Sequence, residues 1–128
     1  MASTARLVDL YSAYAVGLDT ADTRLFLSCF TDDAVLESPA RTVRGHEELT
    51  AWMSLSRLGV VHHSFNVLVL EEFDQGISSR ADWVTYEAGE TLSTGTYRDT
   101  VRVDGQGVPR FSRRVITYTW RRTPPTPA

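Results

Sequence analysis

The run YSAYAVGLDTADTRLFLSCFTDDAVLE, from Tyr11 to Glu37, decides how the rest of the chain is read. It reads as the end of one helix, a short turn, a second helix and a first strand. Just ahead of it, Leu7 and Leu10 join Tyr11, Tyr14 and Leu18 at three- and four-residue steps, which makes one apolar helical face. Ser3 or Thr4 is placed to cap that helix, Asp19-Thr20 closes it, and Gly17 lies near its end. Asp22 or Thr23 is placed to cap the second helix, whose buried face is Leu25, Phe26, Cys29 and Phe30. Thr31-Asp32-Asp33 reads as a turn, and Ala34 to Glu37 as a short strand stopped by Pro39. Tyr14 and Asp19 put a phenol and a carboxylate five residues apart at a helix end. Polar groups there either cap the helix or face a cavity.

Beyond Pro39, Thr42 to His46 leads into a third helix. Glu47 and Glu48 fall in its first turn, where the helix dipole favours acids. Leu49, Trp52 and Met53 are its core positions, and Gly59 is its expected end. The hydrophobic period then falls from about 3.6 residues to about 2. Strands are predicted over Val61–Phe73, Ile77–Glu87, Thr91–Val103 and Pro109–Arg122, with turns at Asp74-Gln-Gly76 and Asp104-Gly-Gln-Gly107. Residues 123–128, TPPTPA, are expected to form a flexible proline-rich tail behind a single domain over residues 1–122. Helices followed by an antiparallel meander are α+β, and a sheet curved over helices leaves a pocket of the kind small molecules use.

A chain of 128 residues with 42% hydrophobic content suffices for one core. The formal net charge of −3 argues against nucleic acid or an anionic membrane as partner. Cys29 is the only cysteine, so no intrachain disulfide forms. The N-terminal stretch carries Arg6 and Asp9 and has no long apolar run, so neither a signal peptide nor a membrane span is expected, and the protein is expected to be soluble and cytoplasmic. There is no HExxH, CxxC or glycine-rich phosphate loop, and no metal or other cofactor is expected.

Several polar residues fall on strands. Neighbouring strand residues face opposite sides, so one of His62 and His63 faces the interior, and the adjacent pair diverges too far to share a metal. Strict alternation places His62, Ser64, Asn66, Leu68 and Leu70 on one face, and His63, Phe65, Val67 and Val69 on the other. On the last strand, Arg114 ends an apolar row with Ile116, Tyr118 and Trp120; it needs acceptor partners if buried, or snorkels to solvent. Asp82 shares a face with Val84 and Tyr86, and a surface pair with Arg80 is its plain reading. Arg98, Asp99 and Arg102 read as a solvated sheet face. Trp52, Trp83, Tyr97 and Trp120 are core or pocket wall.

Taken in order, Tyr14…Asp19, Phe30-Thr-Asp-Asp-Ala34, Arg44-Gly45-His-Glu-Glu-Leu49, His62…Asn66 and the long terminal strand resemble the SnoaL-like family, a branch of the nuclear-transport-factor-2-like superfamily. The resemblance runs over nearly the whole chain. It implies a cone-shaped, curved antiparallel sheet wrapped around three N-terminal helices, with a deep apolar pocket. It also implies chemistry like that of the cofactor-free lyases scytalone dehydratase, bile-acid 7α-dehydratase and hexachlorocyclohexane dehydrochlorinase. These pair an aspartate at the end of the first helix with a histidine at the start of the strand after the third. Asp19 and His62 match those positions, and Tyr14 matches a polar residue five before the aspartate. Phe111-Ser-Arg-Arg114 resembles a run that carries a catalytic arginine in the dehydrochlorinase, which selects Arg114.

The catalytic residues implied are therefore Asp19, His62, Tyr14 and Arg114. Asp82, Tyr86, Asn66, Trp52 and Tyr97 are expected at the substrate. The implied function is a dehydratase or other lyase, isomerase or cyclase acting on a small hydrophobic carbonyl-bearing ring compound such as a polyketide, steroid or terpenoid. Two alternatives stand beside it. One is a non-catalytic ligand-binding or assembly module of the same fold. The other is an epoxide hydrolase using Arg80 and Asp82, since Arg80-Ala-Asp82 resembles part of the limonene epoxide hydrolase site, although Arg114 stands where that enzyme has an aspartate. A homo-oligomer, dimer or trimer, is expected to form through the face carrying Val115, Thr117 and Thr119.

Overall fold

The computed structural model describes residues 4–56 and 59–122. The proposed cap at Ser3 and the tail at 123–128 lie outside the described residues. Helix α1 spans Thr4–Asp19 and α2 spans Thr23–Ser28. The predicted apolar face of α1 is the buried one: Leu7, Leu10, Tyr11, Tyr14 and Leu18 are all in the core. Asp22 caps α2, its carboxylate accepting from the Leu25 N–H at 3.0 Å. Gly17 is where the two helices meet: a Cβ there would lie 2.9 Å from the Phe26 nitrogen, so a side chain would push α2 away. Helix α3 spans Gly45–Met53 and stops short of Gly59. Hydrogen bonds three residues back close it early, from the Ser54 hydroxyl to Ala51 and from the Ser56 N–H to Met53. No helix among the described residues is long and apolar enough to cross a membrane.

Six strands follow the order β2-β1-β6-β5-β4-β3 in one sheet. They are β1 (Phe30–Glu37), β2 (Thr42–Arg44), β3 (Val60–Phe73), β4 (Gly76–Glu87), β5 (Glu90–Val103) and β6 (Pro109–Arg121). The predicted antiparallel meander is β3 to β6. The sheet as a whole is mixed, because β1 docks parallel to β6. Thr31-Asp32-Asp33 belongs to β1 instead of forming a turn. The β1–β6 register breaks between Phe30 and Val35, and that irregularity absorbs the polar residues. Thr31 Oγ1 donates to Asp33 Oδ1 within it at 2.9 Å.

A second irregularity redirects β3. Asn66 has φ +54° in the left-handed region, and the β3–β4 register shifts between Phe65 and Leu68. The faces exchange there. Val67 packs on the core, while Leu68 and Leu70 are exposed, opposite to strict alternation.

The inner face of the sheet is apolar but carries a polar row. Ala81, Trp83, Tyr97, Val101, Phe111 and Ile116 are buried there, and so are Ser79, Thr85, Ser93, Asp99 and Arg114. The helices cover this face, and the candidate site lies between them and the sheet.

Candidate active site

Asp19 is the last residue of α1, the end of a helix where the dipole disfavours an acid. Its carboxylate does not cap the helix; the Thr20 hydroxyl donates to Val16 O there instead. Asp19 reaches across to His62 at the start of β3. Oδ1 lies 2.7 Å from His62 Nδ1, and the His62 backbone N–H donates to both carboxylate oxygens at 3.1 and 3.0 Å. A carboxylate only accepts, so Nδ1 carries the hydrogen, and in the neutral ring Nε2 presents its lone pair. Both side chains are about four-fifths buried, at 17% and 19% exposure. His63 faces the other way and packs edge-on against Tyr86.

His62 borders a cleft on the inner side of the sheet. Trp83 and Thr85 of β4, Ser93 and Tyr97 of β5, and Ile116 and Tyr118 of β6 form its floor; Tyr14 of α1 and Trp52 of α3 form the roof. Thr85 Oγ1 and Ser93 Oγ hydrogen-bond each other at 2.6 Å. The cleft encloses about 70 Å³, so it is smaller than the deep pocket expected. Trp52, Trp83, Tyr97 and Tyr118 fill much of the space. Trp83 lies flat over Gly95, where a Cβ would come within 2.5 Å of the indole and 1.9 Å of the Thr117 carbonyl oxygen. Gly95→Ala is therefore expected to destabilise the protein by about 2–3 kcal/mol, measured by urea unfolding, because backbone as well as ring must move.

Burial raises the pKa of the phenols in this region. Tyr97 is pushed up to about 12, Tyr14 goes well above its ordinary value, and Tyr11 rises through burial and then the Asp99 charge. Each keeps its proton more tightly folded than unfolded, so the associated stability is intact below the ordinary phenol value of 10.0 and falls as pH climbs toward 12. Phenolate absorbance from Tyr11, Tyr14 and Tyr97 should accordingly appear together with loss of the far-ultraviolet circular dichroism signal. A titration in which it appears in the intact fold refutes this. Cys29 is likewise core: burial pushes its thiol up to about 11.

Arg114 is fully buried, but it does not line the cleft. Its Nε and Nη2 donate to Asp99 Oδ1 and Oδ2 at 2.8 and 3.0 Å. Burial works against the guanidinium charge, and the Asp99 carboxylate outweighs it, so the pKa stands above its ordinary value. The rings of Tyr97, Phe111, Tyr14 and Tyr11 surround it, with its central carbon 3.6 Å from the nearest centroid, that of Tyr97. Tyr11 also donates to Asp99. The positive charge is thus neutralised behind the wall formed by Tyr14 and Tyr97, which corrects its expected place beside a substrate. Asp99, read from the sequence as solvated, is 5% exposed and is the partner that Arg114 requires. The signal for it was parity: Asp99 alternates with Tyr97 and Val101.

Three expected substrate contacts fall on the opposite side of the sheet. Asp82 alternates with the inward Trp83, and it accepts from Arg80 Nη2 at 2.6 Å and Asn66 Nδ2 at 2.8 Å. Those hydrogen bonds, Arg80 first, hold its carboxyl below the usual range. Tyr86 sits against His63 on the same outer side. The bulge at Asn66 turns that residue outward as well. Arg80 and Asp82 therefore do not line the cleft, and the epoxide-hydrolase alternative loses both of its groups. Trp52 and Tyr97 border it.

Comparisons with known proteins match this architecture. A cystatin-like protein of unknown function from Nostoc punctiforme superposes with a TM-score of 0.81 at 20% identity, over 92% of this chain and 95% of that one. Hexachlorocyclohexane dehydrochlorinase type 3 from Novosphingobium barchaimii gives 0.79 at 17% identity, over 94% of each chain. ActVI-ORFA from Streptomyces coelicolor gives 0.77 at 16% identity, over 90% of this chain and 96% of that one. At these identities the likeness is one of fold. No curated protein matches the chain. The family profile of the SnoaL-like domain matches residues 1–115, and with the sheet and helices described above, the chain belongs to the SnoaL-like domain family.

Proposed function

We propose that this protein is a cofactor-independent acid–base enzyme, a dehydratase or a related isomerase or cyclase, acting on a small neutral ring compound that bears a carbonyl. The observation that carries the reading is the 2.7 Å contact between Asp19 and His62 at the cleft. An acid at the unfavourable end of a helix, committed to orienting one imidazole, is costly as architecture and useful as chemistry. It leaves Nε2 as a base aimed away from its partner. An imidazole is suited to proton transfer near neutral pH.

In the elimination, Nε2 takes the proton from the carbon next to the carbonyl. The electrons of that bond become the new C=C bond by way of the enolate, and the C–O bond to the β-hydroxyl breaks. The departing hydroxide takes the proton from the imidazolium, so one water is lost and His62 returns neutral. Asp19 stabilises the imidazolium in between. Tyr14, which borders the cleft and which burial keeps protonated, is in this reading the hydrogen-bond donor to the leaving hydroxyl. The dehydrochlorinase of the same fold is named for an elimination, which supports the same class here. Polyketide, steroid or terpenoid rings remain the compound classes of this reading, with the smallest rings favoured by the cleft.

The test is a screen of β-hydroxy ketones beginning with 3-hydroxycyclohexanone, following the ultraviolet absorbance of the enone product. Saturable water loss that disappears in His62→Ala supports the enzyme. The cleft, at about 70 Å³, is roughly half of a cavity that admits benzene, so a ring enters only as the wall side chains give way; the second reading is a ligand-binding module of the same fold. Ligand binding that persists in His62→Ala, with no turnover across the screen, would establish that reading instead.

A further inference from the structure

The enzyme reading needs a group that stabilises negative charge on the substrate oxygen, and the structure removes the expected one. Arg114 gives Nε and Nη2 to Asp99; its Nη1 is buried without a partner, but Arg114 does not line the cleft, and neither lysine nor any other arginine does among the described residues. A different donor is in place. Trp83 is 3% exposed, borders the cleft, and its Nε1 is buried with no acceptor among the described residues. An indole N–H can only donate, and leaving it unpaired costs roughly 1–3 kcal/mol. The ring is also held in one place. Gly95 leaves room for the ring where a Cβ would clash with it, Tyr118 packs edge-on at 5.1 Å, and Tyr97 leans on it at 6.0 Å. A fixed, buried, unpaired donor is what transition-state stabilisation of an oxyanion calls for.

We propose that the Trp83 indole N–H binds the carbonyl oxygen of the substrate and stabilises the enolate that forms when His62 takes the adjacent proton. The assignment rests on the enzyme reading and narrows it. The donor is uncharged and Asp19 stands nearby, so the site takes a neutral ketone or aldehyde in preference to a carboxylate. Thr85 and Ser93, one inward position along on β4 and facing it on β5, are the second polar pole, able to meet a hydroxyl on the same ring.

The test reads the indole directly. The chain has three tryptophans, so a nitrogen–proton correlation spectrum shows three indole signals. Trp83→Phe identifies the signal of interest by its disappearance; if that variant does not fold, Trp52→Phe and Trp120→Phe identify it by elimination. Cyclohexanone is the probe, and methylenecyclohexane, which replaces the oxygen by carbon, is the control. The expected result is a saturable downfield shift of the Trp83 indole proton with cyclohexanone and none with methylenecyclohexane. Trp83→Phe is then expected to lower kcat/KM for 3-hydroxycyclohexanone by roughly 10- to 100-fold. The proposal is overturned if the ketone shifts His62 signals and leaves the Trp83 indole where it was, or if the ketone shifts neither. An indole that responds to the ketone in a protein that turns over nothing sinks the enzyme reading and keeps the carbonyl site.

Discussion

Replacing His62 with glutamine is expected to lower kcat for water loss from a β-hydroxy ketone by roughly 100- to 10,000-fold, the range for losing a positioned acid–base group. Glutamine keeps a polar side chain of similar reach and leaves the backbone N–H bonds to Asp19 in place, so unfolding midpoints should change little. Asp19→Asn is expected to lose a comparable factor by another route. The amide no longer stabilises the imidazolium, and its NH2 face competes to orient the ring with the wrong nitrogen protonated. Because the two residues act as one unit, the double variant should be scarcely slower than either single one. Multiplicative losses in that cycle would mean that Asp19 and His62 act separately, and the dyad reading would fail. Binding of cyclohexanone should survive in all three variants, which separates loss of chemistry from loss of the site.

The second large effect is on stability. Arg114 and Asp99 form a fully desolvated pair, and removing one partner leaves the other charge buried without compensation. Arg114→Met or Asp99→Leu alone is expected to cost about 3–5 kcal/mol, read as a drop in the urea midpoint. The double variant should recover most of that, since an apolar replacement of both groups is often neutral or better. Part of the Asp99 cost stays, because Tyr11 then has only the Ser79 hydroxyl at 3.0 Å to meet its own. Turnover should persist in the double variant, since neither group lines the cleft. A double variant that folds normally and has lost activity would return Arg114 to the reaction and displace Trp83 from it.

Periodicity in the chain specified more than the element list. The helical face of α1, the four-strand meander and the inward position of one of His62 and His63 follow from apolar spacing, because side-chain direction is set locally by backbone geometry; the choice of His62 came from the resemblance. The resemblance added the pairing of Asp19 with His62 as an expectation, and the fold places the two in contact across 43 positions of sequence. Where local rules failed, the cause was a break in the sheet. The turn assigned at Thr31-Asp32-Asp33 is an irregular stretch of β1, and alternation along β3 fails beyond Asn66 because an extra residue exchanges the faces.

The fate of each charged residue lay further from reach. Asp99 and Asp82 look alike as single acids among strand residues. One is buried against Arg114 and the other is held at the surface by Arg80. Alternation with Tyr97 and Val101 turns Asp99 inward and alternation with Trp83 turns Asp82 outward, but the partner each one meets depends on how the strands are registered against one another, and that is a property of the assembled sheet. The same holds for Trp83. Its type announced a wall residue, but its unpaired N–H arises from the neighbours that Gly95, Tyr97 and Tyr118 provide in three dimensions. Short-range sequence therefore carries the elements and the orientation of their faces, while the pairing of charges and the lining of the cleft come from long-range packing that no local period encodes.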